Sequence, residues 1–102
     1  MHLIQILLPT HDNQGALFGR EEYRHVRQEL TDRFGGITVY TRAPAEGHWR
    51  MDDNNTSRND IVIFEVMASE LDASWWRNYR KDLEARFRQD VILIRAQQTR
   101  LL

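Results

Sequence analysis

Two stretches of this chain space their apolar residues three or four apart, and each is flanked by short runs of β-compatible residues. That switching between a 3.6-residue and a two-residue period is the strongest constraint on the fold. In the first helical stretch, Arg20 to Phe34, the apolar positions are Tyr23, Val26, Leu30 and Phe34, and Glu29 precedes Arg33 as a favourably ordered i,i+4 pair. Gly35-Gly36 ends it, because glycine adopts a left-handed cap without a side-chain clash. The second opens at Asp72, a good N-cap, with Leu71 and Trp76 placed for a hydrophobic staple. Its stripe is Trp76, Tyr79, Leu83 and Phe87, with Asp82 to Arg86 and Glu84 to Arg88 as i,i+4 pairs on the solvent side.

The strand signals fall around these helices. Leu3 to Leu8 is nearly all apolar, and Pro9 ends it by removing a donor. Thr10 to Gly19, with Asp12, Asn13 and Gly15, forms a loop. Ile37 to Arg42 is mostly β-branched or aromatic and is the second strand, closed by Pro44. Residues 44–59 make a long connection, with Trp49 to Met51 extending a strand into it, and Asp60 to Ala68 is the third and central strand. Val91 to Ala96 is the fourth, and Gln97 to Leu102 is a tail. Right-handed crossovers then predict an α+β, ferredoxin-like β-α-β-β-α-β fold: an antiparallel sheet in order 4-1-3-2 with both helices on one face. A chain of 102 residues has room for one such domain, covering 1–102.

Composition removes several function classes. Fourteen basic against fifteen acidic residues leave a formal charge of −1, so no long-range field gathers nucleic acid or an anionic membrane surface. Cysteine is absent, which excludes disulfides, thiolate metal sites and thiol nucleophiles, and fits the cytoplasm. No run approaches the roughly 18 apolar residues of a membrane helix. The Leu3 to Leu8 run lacks a basic leader and reads as a strand. Gly35-Gly36 follows a helix, whereas phosphate-cradling glycine loops follow a strand, so no nucleotide cofactor is expected. Ser57, Ser69 and Ser74 have no nucleophile-elbow setting. The RNA-recognition module shares this topology but needs exposed aromatics on its first strand, and this one has none.

Alternation divides each strand into two sets. Ile4, Ile6, Leu8, Val62, Phe64, Val66, Ile92 and Ile94 are expected to meet the helices. The opposite face carries Leu3, Gln5, Leu7, Ile61, Ile63, Glu65, Met67, Val91, Leu93 and Arg95, together with either Tyr40 and Arg42 or Val39 and Thr41. This mixture is too apolar to leave bare, so a symmetric homodimer through the open sheet face is expected. Gln5, Glu65 and Arg95 fall on neighbouring strands, which allows a Glu65 to Arg95 pair bridged by Gln5. The simpler reading is a device fixing dimer register. The sharper one is the polar floor of a small-molecule pocket, with Gln5, Tyr40, Trp49 and Glu65 as its ligand-binding candidates.

Three connections emerge at one end of the sheet, bringing His11, Asp12 and Asn13 near His48, Trp49, Arg50, Asp52 and Asp53, and near Gln89 and Asp90. Imidazoles oriented by carboxylates can run acid–base chemistry. The spacings contain no metal signature such as H-E-x-x-H, no metal site is expected, and the simpler reading is a set of solvated loop residues. In an enzyme, His11 or His48 would be the base and Arg42 or Arg95 the anion anchor. Trp76 is core by spacing, and Trp75, one position off the stripe, is expected to cover the helix edge.

The stretch Leu30 to Trp49, in which a helix ending Arg33-Phe34 leads through Gly35-Gly36 into a strand and then Gly47-His48-Trp49, followed by Asp60 to Met67 and Trp75-Trp76, resembles a group of short uncharacterised bacterial proteins. These have a ferredoxin-like fold of the dimeric α+β-barrel type. The resemblance spans most of the chain, implies a compact bacterial α+β protein, and carries over no catalytic residue. Two functions follow. One is a homodimeric domain that binds a small molecule or a protein partner without catalysis. The alternative is a small cofactor-independent enzyme similar to dimeric α+β-barrel monooxygenases or isomerases, for which the fold is the only warrant.

Overall fold

The apolar run near the start of the chain forms β1 (His2–Pro9), in which Ile4, Ile6 and Leu8 are buried and the residues between them are half-buried. A computed structural model describes residues 1–42 and 61–102, and of Tyr40, Thr41 and Arg42 the backbone alone. The remaining elements are α1 (Arg20–Phe34), β2 (Thr38–Arg42), β3 (Ile61–Ala68), α2 (Ala73–Arg86) and β4 (Leu93–Gln98). The strands form one antiparallel sheet in the order β2-β3-β1-β4, which read from the other edge is 4-1-3-2. The fold is therefore the ferredoxin-like β-α-β-β-α-β arrangement, with both helices on one face. The connection 44–59, with the expected extension at Trp49 to Met51, lies outside the described residues.

The helix-side core follows the two periodicities. Ile4, Ile6 and Leu8 from β1 and Phe64 and Val66 from β3 meet Val26 and Leu30 from α1 and Trp76, Tyr79 and Leu83 from α2. Phe87 and Ile92 are also buried there, while Val62, Ile94 and Val39 pack against the cluster as partly buried residues. Full burial of a Leu, Ile or Phe side chain contributes about 1.5–3 kcal/mol, so this face holds the fold together. The helix ends match their signals. Asp72 accepts a hydrogen bond from the Trp75 amide at 3.1 Å, and Gly35, at φ 84°, donates its amide to Thr31 O at 2.8 Å.

The fourth strand starts two residues later than Val91 and continues through Gln98, taking in the first part of the expected tail. Pairing Leu7 with Leu93 places Val91 opposite Pro9, which has no amide to continue the ladder, and Val91 is 74% exposed. At the other end His2 pairs with Gln98. Two charge pairs also differ. Glu29 turns away from Arg33 and toward α2, where Arg86 holds both its oxygens at 3.0 and 2.8 Å; a bidentate guanidinium outcompetes a single exposed i,i+4 contact. Glu84 pairs with Arg80 at 3.6 Å and accepts the Ile92 amide at 2.9 Å. Arg88 lies beyond the end of α2 at φ 51°, so the helical spacing that would join it to Glu84 is lost.

Candidate functional site

The pleat arranges the open sheet face in rows. One row runs Thr38, Glu65, Gln5, Arg95 across β2, β3, β1 and β4. Strands are about 4.8 Å apart, so Glu65 and Arg95 stand roughly 10 Å from each other across β1 and need an intermediary. Gln5 supplies it. Arg95 Nε donates to Gln5 Oε1 at 2.8 Å, and Gln5 Nε2 donates to Glu65 Oε2 at 2.6 Å. The amide presents its acceptor to the cation and its donor to the anion, the one orientation that suits both neighbours.

Apolar rows flank this polar band. Ile63, Leu7 and Leu93 are aligned on one side of it, and Met67 and Leu3 on the other. Leu3, Leu7, Ile61 and Met67 are half-buried, Leu93 is 49% exposed, and Ile63 is only 3% exposed although it stands outside the helix-side cluster. Val39 packs on the core, so by parity Thr38, Tyr40 and Arg42 hold open-face positions, with Tyr40 beside Ile63 and Arg42 beside Ile61. The side chains of Tyr40 and Arg42 lie outside the described residues, as do His48 and Trp49 entirely.

At the loop-rich end the register brings the end of β1, the end of β2 and the start of β3 together, since Pro9 and Arg42 both pair with Ile61, and β4 starts nearby opposite Leu7. The polar residues there are engaged in building the loop. Asp12 accepts the amides of Gln14 at 2.8 Å and Ala16 at 2.9 Å, and its carboxyl is held below the usual aspartate range by those two backbone hydrogen bonds and by Arg88. Arg88 Nη2 lies 3.6 Å from Asp12, and Asn13 Nδ2 donates to Arg88 O at 3.0 Å, which ties this loop to the end of α2. His11 Nδ1 shares a hydrogen bond with Thr10 Oγ1 at 2.7 Å. Among the described residues no three His, Asp or Glu side chains gather as a metal site would require.

No protein-family model, curated protein or solved structure matches this chain. A functional reading therefore rests on the geometry of its own side chains.

The tryptophans divide as their spacing implies. Trp76 is buried at 6% exposure, and the half-buried Trp75 stacks on Tyr79 with centroids 4.8 Å apart. Arg33 sits over the Trp75 ring at 4.2 Å, and Phe34 stacks on Trp76 at 5.4 Å. The Phe34, Trp75 and Trp76 rings border a cleft of about 480 Å³ that Glu70 and Asp72 also line. Tyr79 donates its hydroxyl to Glu29 Oε1 at 2.8 Å; burial, and then the neighbouring carboxylate, push that hydroxyl far above the ordinary phenol range. It is a fixed donor at neutral pH. The Glu29, Tyr79 and Arg86 cluster was not anticipated from the sequence. Its signal is that Glu29 and Arg86 each sit beside an apolar stripe, where charges on two packed helices meet.

Proposed function

We propose that this chain is a homodimeric α+β domain whose open sheet face is covered by a second copy, and that it binds its ligand or partner without catalysis. The observation that carries this reading is the band Glu65, Gln5, Arg95 set in an apolar face. Its acid and base are equally spaced about Gln5. A two-fold axis parallel to β1 and passing over Gln5 sets each Glu65 opposite the partner's Arg95, while the half-buried Leu3 and Leu7 meet their own copies and the exposed Leu93 is covered. Sheets packed this way are aligned, and the contact is isologous. The charges fix which register is allowed, and the apolar rows supply the burial.

Support for a non-catalytic role comes from the polar groups that can be described. Asp12, whose carboxyl is shifted by backbone hydrogen bonds, and Tyr79, whose hydroxyl is shifted first by burial and then by Glu29, are both committed to holding loops and helices. Among the described residues no helix is long and apolar enough to cross a membrane. A cytoplasmic setting suits a chain without cysteine.

The test is Leu93→Glu, chosen because Leu93 is 49% exposed and tolerates a charge in the isolated fold, whereas Ile63 is buried. Light scattering should find the unaltered chain at dimer mass and the variant at monomer mass with unchanged circular dichroism. Glu65→Arg should also dissociate it, and adding Arg95→Glu should restore it. A monomeric unaltered chain, or a dimer undisturbed in all these variants, would overturn the proposal.

A further inference from the structure

On the helix side of the sheet, a groove of about 440 Å³ lies between α1 and the strands β2 and β3. Its floor is Val39, Val62 and Phe64, and Tyr23 forms a wall whose position is fixed by donation of its hydroxyl to Pro9 O at 2.7 Å. Three guanidinium groups line it from α1, Arg20, Arg24 and Arg27, at helical spacings of four and three residues. Arg24 has a neighbour in Glu21 at 3.0 Å, an exposed contact, while Arg20 and Arg27 form no ion pair among the described residues. Like charges at such spacings repel, and Arg20 stands in the first turn of α1, where the helix dipole disfavours a cation. The groove thus joins an apolar floor to positive charge that, at Arg20 and Arg27, no ion pair among the described residues neutralises.

We infer that this groove binds a small monocarboxylate with an apolar aryl or alkyl body. Guanidinium forks match a carboxylate with paired hydrogen bonds, and the volume falls within the range of small-molecule sites, about 300–1,000 Å³. Two features argue against a polyanion. The floor is hydrocarbon, which a phosphate or a nucleic-acid backbone would not use, and the formal charge of −1 provides no wider field to attract one. The inference supplies a ligand class for the binding role proposed above, but the groove and the dimer face lie on opposite sides of the sheet, so each can fail while the other stands.

Titration with phenylacetate and with hexanoate, followed by methyl and ring NMR signals, tests it on the intact chain. Both should shift Val39, Val62 and Phe64, and the Arg20→Gln/Arg27→Gln double variant, altered only at exposed positions, should bind about tenfold more weakly or less. Phenylacetamide, which keeps the ring and loses the charge, should bind more weakly than phenylacetate, and inorganic phosphate should leave the floor signals in place. The inference is overturned if neither carboxylate shifts these residues at millimolar concentration. It is equally overturned if phenylacetamide matches phenylacetate, if phosphate produces the same shifts, or if the double variant binds as tightly as the unaltered chain.

Discussion

Removing Arg86 should expose how strongly the two helices are clamped. Its guanidinium reaches Glu29 at 3.0 and 2.8 Å and Asp82 at 2.8 Å, and lies 5.9 Å from the Tyr79 ring centroid. The Arg86 and Glu29 side chains are 29% and 43% exposed, so water screens the pair and its full Coulomb energy does not apply. A bidentate link of this kind contributes about 1 kcal/mol, the i,i+4 pair with Asp82 about 0.3–0.5 kcal/mol, and the ring contact roughly 0.5 kcal/mol. Arg86→Ala should therefore cost about 2 kcal/mol, a fall in Tm of the order of 10 °C for a domain this size. Glu29→Gln should cost less, because the amide still accepts from Tyr79. Urea denaturation of both single variants and the double variant, closed as a cycle, should return a coupling of about 1 kcal/mol that shrinks in high salt. A coupling near zero, or one indifferent to salt, would show that the contact is surface decoration and that apolar packing alone joins the helices.

Three other outcomes follow from the same structure. Leu83→Ala, at a fully buried position beneath α2, should cost about 2–5 kcal/mol in chemical denaturation, and a loss under 1 kcal/mol would mean the core collapses around the gap. Burial pushes the Tyr23 hydroxyl up to about 12, so the folded chain keeps a proton that the unfolded chain releases near pH 10; stability should hold below that value and fall as pH rises toward about 12, more gently in Tyr23→Phe. Asp12 has the opposite sign, its carboxyl lying below the ordinary aspartate value of about 3.9, so its hold on the Gln14 and Ala16 amides should be complete above that pH and lost as pH falls through its folded value. Amide protection at those residues, corrected for the intrinsic pH dependence of exchange, reports the change, and protection that stays constant until the whole chain unfolds in acid would refute it.

The polar band on the open face was legible in the sequence because a two-residue period and a short list of allowed topologies determine which side chains share a row. Gln5, Glu65 and Arg95 could be placed together from parity and strand order alone, and the structure joins them through the amide. Helix limits were equally plain where a cap residue marked them, as at Asp72 and Gly35. The start of β4 was not, since Val91 and Ile92 suit a strand as well as Leu93 does and only the register against Pro9 excludes the former. The partners of Glu29, Glu84 and Arg88 were misjudged for a related reason. Local spacing favours the i,i+4 neighbour, while the native partner is chosen by helix packing and by where α2 ends. His11, Asp12 and Asn13 drew attention as chemistry-bearing types, yet the hydrogen-bonding capacity that makes aspartate and asparagine useful in catalysis is the same capacity that builds turns. The groove beside Arg20, Arg24 and Arg27 was not legible, because its apolar floor comes from β2 and β3 and appears only once the sheet is assembled.

The proposed concealment of the open sheet face by a second copy is tested most directly by isotope-filtered NMR on a mixture of labelled and unlabelled chains. Magnetisation should pass between chains among the methyl groups of Leu3, Leu7, Met67 and Leu93, in particles of twice the 12.2 kDa chain mass. Transfer confined to other surfaces, or particles of single-chain mass with Leu7 and Leu93 in contact with water, would contradict it.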